Sequence, residues 1–433
     1  MIPEIEKASA EAIQHLQEQR LRELINYITQ NSAYYKRIFK ENNLQASDIK
    51  TLADLAKLPT TSKEDLQQYN DDFLCVDRHK IIDYVTTSGT LGEPVTFALT
   101  DNDLNRLAYN EAISFDCAGV TSDDILQLTT TMDRRFMAGL AYFLGVRKLG
   151  AGIIRVGAGI PELQWDSILK FKPTYLIVVP SFLLKLIEYA HQHGIDPNQV
   201  GLKGAICIGE SLRNEDFSLN TLAAKIKKDW NIPLYSTYAS TEMSTAFTEC
   251  KARQGGHHHP ELIIIEILDD DGKQVGEGMP GELTITTLGV EGMPLLRFKT
   301  GDIVQAHTSK CSCGRNTPRL GPVIGRKKQM IKYKGTTLYP PAMYNVLNSF
   351  NDIDAFVIEI DHNDIGTDEI CIKIATANPT NDLLQTIKDH FRAKLRVLPK
   401  IEFHDFKTLQ ELRFPKMSRK PVIVIDHRLK ADA

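Results

Sequence analysis

The chain has 433 residues, 42% hydrophobic and 24% charged, with 19 prolines and a net charge of -4. That balance fits a soluble globular protein of two or more domains with a large buried core, and it excludes a disordered chain. Basic residues are scattered rather than banked, no apolar run approaches the roughly 20 residues that span a bilayer, and "MIPEIEKASAEAIQHL" opens with acids rather than a basic leader. The expected location is therefore cytoplasmic, with neither nucleic acid nor membrane as partner.

The first segment, to about Gln68, is predicted helical, since "HLQEQRLRELINYITQNSAYYKRIFKENNL" places Leu, Ile and Tyr at helical intervals. Behind the apolar "IIDYV" comes "TTSGTLGEPV" (Thr86–Val95), rich in glycine and hydroxyls. Such a run lets amide and hydroxyl donors converge on an anion, but taken alone it is more often a turn. The Walker pattern does not fit it: two residues separate Gly89 from Gly92, and no lysine follows.

Farther on, apolar runs alternate with amphipathic stretches: "GAGIIRVGAG", "PTYLIVVPS" then "FLLKLIEYAHQHG", "GAICIGES" then "TLAAKIKKDWN", and "IPLYSTYAST". The alternation predicts parallel strands joined by crossover helices, an α/β core. After Cys250 the texture changes to "ELIIIEIL", "GELTITTL" and "PLLRFKTGDIV", short strands set apart by "DDDGK" and "GMPG" turns, which predicts a β-rich, antiparallel subdomain. A last segment opens near "GRKKQMIKYKG" and mixes strands such as "AFVIEI" and "ICIKIAT" with the helix "DLLQTIKDHFRAKL", predicting a small α+β domain with its boundary near Arg326.

Three further stretches have ligand-loop character. "YASTE" (Tyr238–Glu242) offers an aromatic face, hydroxyls and a carboxylate at a strand end, suited to stacking on a base and holding a metal near phosphate. "RFKTGD" (Arg297–Asp302) ends in a carboxylate able to accept both hydroxyls of a ribose, and "GRKKQMIKYKG" (Gly325–Gly335) adds a guanidinium and lysines. Each has a bland reading too: a core aromatic, a helix-start carboxylate, a turn pair, a solvated basic face. Their joint occurrence in one order favours a site.

In that order the stretches resemble the fingerprints of adenylate-forming enzymes, the superfamily of acyl-CoA synthetases, firefly luciferase and nonribosomal adenylation domains. "YYKRIFKENNL…DIKTLADLAKLPTTSKEDL", "EGMPLLRFKTGD", "CSCGRNTPRL" and "GRKKQMIKYKGTTLYPPAM" narrow the resemblance to the phenylacetate-CoA ligase family and its relatives known as coenzyme F390 synthetases, over nearly the whole chain. The resemblance implies a large N-terminal adenylate-forming domain, 1–326, with a parallel-sheet core and a β-rich subdomain, plus a mobile α+β domain, 327–433. It implies two half-reactions: a small carboxylic acid attacks the α-phosphate of MgATP to give acyl-AMP, and coenzyme A then displaces AMP. It further implies a homodimer.

Carried over residue by residue, Thr87, Ser88, Gly89, Thr90 and Gly92 hold the β and γ phosphates, and Gly209, Glu210, Ser211 and Tyr238 border the adenine with Ala239 and Ser240 beside them. Thr241 contacts phosphate, Glu242 holds Mg²⁺, Asp302 binds the ribose near Arg326, and Lys332 and Gly335 complete the nucleotide set. "PKMSRKPVIVID" resembles the closing motif, whose lysine is here Lys420, among Lys416 and Arg419, and the implied hinge is Lys328. Cys250, His257, Cys311 and Cys313 form a Cys₃His set suited to structural Zn²⁺, with His258 and His259 as rival ligands.

Two departures stand out. Glu93 replaces the usual phosphate-loop lysine, and "TMDRRFMAGLAYF" puts Asp133 and Arg134 beside Phe136 and Ala138 where the acyl pocket is expected, so a polar acid is as plausible as an aryl acetate. Rival readings are adenylyl transfer to a hydroxyl, as in F390 synthesis, and a catalytically inactive nucleotide-binding regulator.

Overall fold

The N-terminal segment is helical because its apolar residues recur at helical spacing and serine caps start its second, third and fourth helices. One turn, α1 (Glu4–Lys7), precedes α2 (Ala10–Asn31), whose cap Ser9 accepts from the Ala12 amide; Ser32 does the same for α3 (Ala33–Glu41) through Tyr35. A capping box between Ser62 and Asp65 opens α4 (Lys63–Gln68). The computed structural model describes residues 2–87, 94–333, 336–362, 368–415 and 421–429. It divides into two units: one takes in most of the chain up to Val323, and the other holds Gly301–Ile303 and the chain from Ile324 onward.

In the first unit, the hairpin strands β1 (Ile81–Thr86) and β2 (Thr96–Thr100) lead into α5 (Asp101–Cys117) and β3 (Ile125–Leu128). Then follow α6 (Met137–Leu149), β4 (Gly152–Arg155), α7 (Pro161–Phe171), β5 (Tyr175–Val178), α8 (Pro180–Gln192), β6 (Gly204–Ile208), α9 (Thr221–Asp229), β7 (Leu234–Ser240) and β8 (Thr245–Thr248). One sheet results, ordered β4-β3-β5-β6-β7-β8 and parallel except for β8, which turns back on β7. The α/β class expected from the alternation is the class observed.

Every residue of β5 and β6 is buried because helices cover both faces. Leu176, Val178, Ala205 and Cys207 face one core, where Trp165 and Trp230 stack with centroids 5.4 Å apart. Ile177, Ile206 and Ile208 face the other, with Phe115, Tyr142 and Val146 of α5 and α6.

The β-rich part of the chain holds β9 (Gly256–His257), β10 (Ile263–Leu268), β11 (Gly281–Thr287), β12 (Phe298–Val304), β13 (Ala306–His307), β14 (Arg319–Leu320) and β15 (Gly325–Arg326). β10 and β11 pair antiparallel, as the turn signals predict, and β13-β14-β9 make a three-stranded sheet. In the second unit, β16 (Ile331–Tyr333) and β17 (Thr336–Leu338) pair before α10 (Pro340–Leu347). There β18 (Ala355–His362), β19 (Asp368–Ala375), β20 (Lys400–Phe403) and β21 (Val424–Asp426) form a sheet ordered β20-β19-β18-β21, with α11 (Asn381–Leu395) and α12 (Phe406–Arg413). Ile358, Ile372, Ile387 and Phe391 fill its core. Among the described residues no helix is long and apolar enough to cross a membrane.

Helices α5 and α6 approach so closely that a Cβ added at Gly145 would lie 2.2 Å from the Glu111 Cβ. Gly145→Ala is therefore expected to destabilise the fold by roughly 1–3 kcal/mol, read as a lower urea midpoint; an unchanged midpoint would mean the helices part freely.

Candidate functional site

Parallel pairing delivers the carboxyl ends of β3, β5, β6 and β7 to one edge of the sheet, the usual ligand edge of an open α/β fold. Gly209 follows β6 with φ +78°, a left-handed conformation that glycine takes without a side-chain clash, and so turns the chain sharply into Glu210. The Glu210 carboxylate accepts from the Ser181 amide at 2.8 Å and the Ser181 hydroxyl at 2.9 Å, in the first turn of α8. Negative charge is favoured there, and the contact fixes the turn after β6 against the start of α8. Ser211 is exposed, its hydroxyl donating to the Arg213 carbonyl.

Beside it, β7 ends in Tyr238, Ala239 and Ser240, paired with Phe247, Ala246 and Thr245 of β8. Thr241–Ser244 makes the turn between the strands, and Ser244 sits at φ +47°. A left-handed conformation in a residue with a Cβ costs on the order of 1 kcal/mol and persists only where neighbours hold it. Tyr238 lies half-buried, its ring 6.1 Å from that of Phe247. Among the described residues no hydrogen bond or ion pair engages the Glu242 side chain, so its carboxylate stays available to a cation.

The loop after β3 joins this edge. Arg134 and Arg135 take φ of +58° and +57°, and the Arg135 carbonyl accepts from the Thr86 amide at 3.0 Å, tying the loop to β1. Asp133 and Arg134 are each 71% exposed and lie 4.0 Å apart, while Phe136 and Ala138 at the start of α6 are half-buried. Thr87 closes the hairpin base: its amide donates to the Val95 carbonyl and its hydroxyl accepts from the Val95 amide at 3.0 Å. Ser88, Gly89, Thr90, Gly92, Glu93, Gly335 and Lys420 lie outside the described residues.

In the second unit, Asp302 on β12 stands opposite Arg326 on β15, and the Arg326 Nε donates to Asp302 Oδ1 at 3.3 Å. Lys328 lies in a 3₁₀ turn, Lys327–Gln329. Lys332 is exposed on β16, where its amide donates to Asp368 at 2.6 Å.

The Cys/His set assembles at the other end of β7. Because β8 runs antiparallel, Thr248 faces Thr237 and the Glu249 amide reaches the Ser236 carbonyl, so Cys250 falls at the amino end of β7. Seven residues of strand put it about 20 Å from the Thr241–Ser244 turn. His257 on β9 and the loop between β13 and β14 supply the rest, and the four ligand atoms of Cys250, His257, Cys311 and Cys313 lie within 4.8 Å of one another.

The donors suit a tetrahedral dication. Cys250 and Cys311 sulfurs are 3.6 Å apart, and Cys250 is pushed up to about 12 by burial and by neighbouring thiols, a crowding of negative charge that a dication reverses. Burial favours the thiol at Cys313 too, but the bond to His257 at 3.4 Å and contact with Arg315 bring it down to about 5. Burial lowers His257, leaving it neutral, the form that ligates.

The rival histidines have other tasks: His258 Nε2 meets the Ile263 carbonyl at 2.6 Å, and His259 Nδ1 meets Glu6 at 2.5 Å. Glu6, fully buried on α1, also accepts from Arg315 Nε at 2.6 Å, and Arg315 Nη1 points to Cys313 Sγ at 3.7 Å. Sequence reading misses this network, and it misses Arg106 and Asn110 on α5 as well. The available signal was polar residues interrupting the buried face of a helix.

Residues 9–292 match the AMP-binding enzyme family. The chain is 30% identical over 384 residues to the phenylacetate-coenzyme A ligase of Thermus thermophilus, covering 87% of this chain and 84% of that protein. It is 28% identical over 363 residues to that of Escherichia coli, covering 81% and 79%. Among solved structures, 2-hydroxyisobutyryl-CoA ligase in its postadenylation state with an acyl-AMP has a TM-score of 0.85 at 23% identity, covering 98% of this chain and 92% of that one. The same ligase with CoA in its thioesterification state has a TM-score of 0.71 at 24% identity, covering 98% and 91%.

Burial alone would raise the Glu6 carboxyl, but His259 and Arg315 hold it below its ordinary 4.5. Its contribution is thus present above that value and lost as pH falls through the lower folded one. Glu6→Gln is expected to be less stable at pH 7 by roughly 3–5 kcal/mol and to show a flatter loss below about pH 4.5. Urea midpoints across pH that fall in parallel for the two proteins would refute this.

Proposed function

The chain belongs to the AMP-binding enzyme family, and on that premise we propose that it is an ATP-dependent, AMP-forming ligase that joins a small carboxylic acid to coenzyme A. The observation that carries the reading is the meeting of Gly209–Ser211 and Tyr238–Glu242 at the carboxyl ends of neighbouring strands, with the Glu242 carboxylate uncommitted. The phenylacetate-coenzyme A ligases at 28–30% identity favour a thioester product over adenylyl transfer to a hydroxyl.

In this reading Tyr238 and the turn Gly209–Ser211 border the adenine, with Ala239 and Ser240 beside them. Thr87 and the loop Ser88, Gly89, Thr90 and Gly92 hold the β and γ phosphates, Thr241 adds a hydroxyl, and Glu242 holds Mg²⁺. Asp302, kept in place by Arg326, accepts the ribose hydroxyls, and Lys332 and Gly335 complete the set. Chemistry then rests on positioning and charge neutralisation: the acid's carboxylate and the α-phosphate are both anions, and Lys420 set between them lets them approach.

Residues 327–433 form a mobile domain pivoting at Lys328, which carries Lys420 away so that the CoA thiol can enter. The loop bearing Asp133, Arg134, Phe136 and Ala138 lines the acid's approach, and its exposed charges suit an aryl or other small acid carrying a polar group. Cys250, His257, Cys311 and Cys313 hold a structural Zn²⁺ about 20 Å from the Glu242 turn, bracing the β-rich strands. The protein works in the cytoplasm as a homodimer.

Acid-dependent exchange of labelled pyrophosphate into ATP tests the reading. Exchange is expected with one class among aryl acetates, benzoates, short fatty acids and hydroxy acids; silence across the panel with ATP bound would overturn it. Lys420→Ala should abolish exchange yet spare CoA transfer from pre-made acyl-AMP. For the Cys/His set, one zinc per chain is expected after gentle purification, and chelation should lower the melting temperature without changing the KM for ATP. A chain free of zinc would refute that assignment.

A further inference from the structure

The guanidinium of Arg106 is buried on α5 and meets no carboxylate among the described residues. Its donors go to three separate stretches of backbone: Nε to the Leu288 carbonyl at 2.7 Å, Nη1 to the Ser244 carbonyl at 2.5 Å, and Nη2 to the Leu262 carbonyl at 2.6 Å and the Thr245 hydroxyl at 3.1 Å. The nearest acids are committed elsewhere, Asp103 to the amides of Glu291 and Gly292, and Glu261 to the Tyr109 hydroxyl. Burial pushes Arg106 down to about 10, which leaves it a cation at neutral pH. A buried cation solvated by carbonyls is a poor way to fill a core, since an apolar side chain of similar volume does as well or better.

What the arrangement does provide is register. Asn110, one helical turn further along the same face of α5 and fully buried, accepts the Ala246 amide at 3.0 Å. Two side chains of one helix therefore grip three consecutive residues, Ser244, Thr245 and Ala246, at the point where Ser244 is held at φ +47°. The turn so gripped begins with Thr241 and Glu242.

We propose that Arg106 is a positioning residue for adenylation: with Asn110, it fixes the Thr241–Ser244 turn against α5 and so sets the aim of the Glu242 carboxylate at the magnesium of MgATP. The proposal rests on the reading of Glu242 as the magnesium carboxylate. A lysine at this position keeps the charge and loses the planar fork that reaches three carbonyls at once.

The test uses the full chain, with Mn²⁺ binding in the presence of ATP followed by electron paramagnetic resonance and with the Mg²⁺ concentration that half-saturates pyrophosphate exchange. Arg106→Lys is expected to weaken Mn²⁺ binding and raise the half-saturating Mg²⁺ about 10-fold, with much of the rate recovered at saturating metal. Asn110→Ala should shift both in the same direction by less, and it serves where Arg106→Lys does not fold. Arg213→Lys disturbs another buried arginine, bonded to Glu249 and to the Leu234 carbonyl at the far end of β7, and should lower the melting temperature without moving either metal reading. Unchanged metal readings in both α5 variants would overturn the proposal while leaving the ligase reading intact. A wild-type chain that binds ATP but no Mn²⁺ would remove the role of Glu242, and the proposal with it.

Discussion

Parallel strand pairing is the constraint from which the rest of the first unit follows. Strands β4, β3, β5, β6 and β7 all run one way, so each crossover helix must return the chain outside the sheet and every carboxyl end falls at the same edge. Turns at that edge carry the Asp133–Ala138 loop, Gly209–Ser211 and Tyr238–Glu242, residues spread over more than a hundred positions in the chain. The one reversal, β8, sends Cys250 to the opposite edge. The proposed nucleotide site and the Cys/His set are thereby kept apart by the length of a single strand.

Buried charge is the second organising device. Arg106 binds three carbonyls, Arg213 forks onto Glu249, Arg297 pairs with Glu266 and Glu6 joins Arg315 to His259. Such groups are a weak source of net stability, because desolvation offsets most of the attraction, but each is severe about geometry. All of them connect stretches at least 31 residues apart in the chain. Leucine and isoleucine packing makes the sheets; these polar knots decide how the loops between the sheets are held.

Much of this was legible in the residues. The unbroken apolar runs of "YLIV" and "GAICI" announce strands buried on both faces, and the turn pairs between "ELIIIEIL" and "GELTITTL" announce the antiparallel pairing of β10 and β11. The Cys/His spacing announces the cluster of Cys250, His257, Cys311 and Cys313. What sequence could not do was secure its choice of His257 against the rivals His258 and His259, because that depends on which ring faces the cysteines once β9 has paired with β14. Nor could it find Arg106 or Glu6, whose meaning lies in carbonyls and ions up to about three hundred residues away. The turn at Thr241–Ser244 was read for its side chains, while its left-handed serine and the helix that restrains it belong to tertiary structure alone.

The ion pair between Glu6 and Arg315 also bears on how the protein is made. Its partners are 309 residues apart, so a ribosome working at about 5–20 residues per second releases Glu6 some 15–60 s before Arg315 exists. Until His259 emerges, 253 residues after it, Glu6 has neither of its buried partners and its carboxylate must wait in water, while the parallel strands form. Closure of the N-terminus over the Cys313 loop thus waits for Arg315, and a nascent chain halted between His259 and that residue can hold Glu6 by the histidine but lacks its guanidinium.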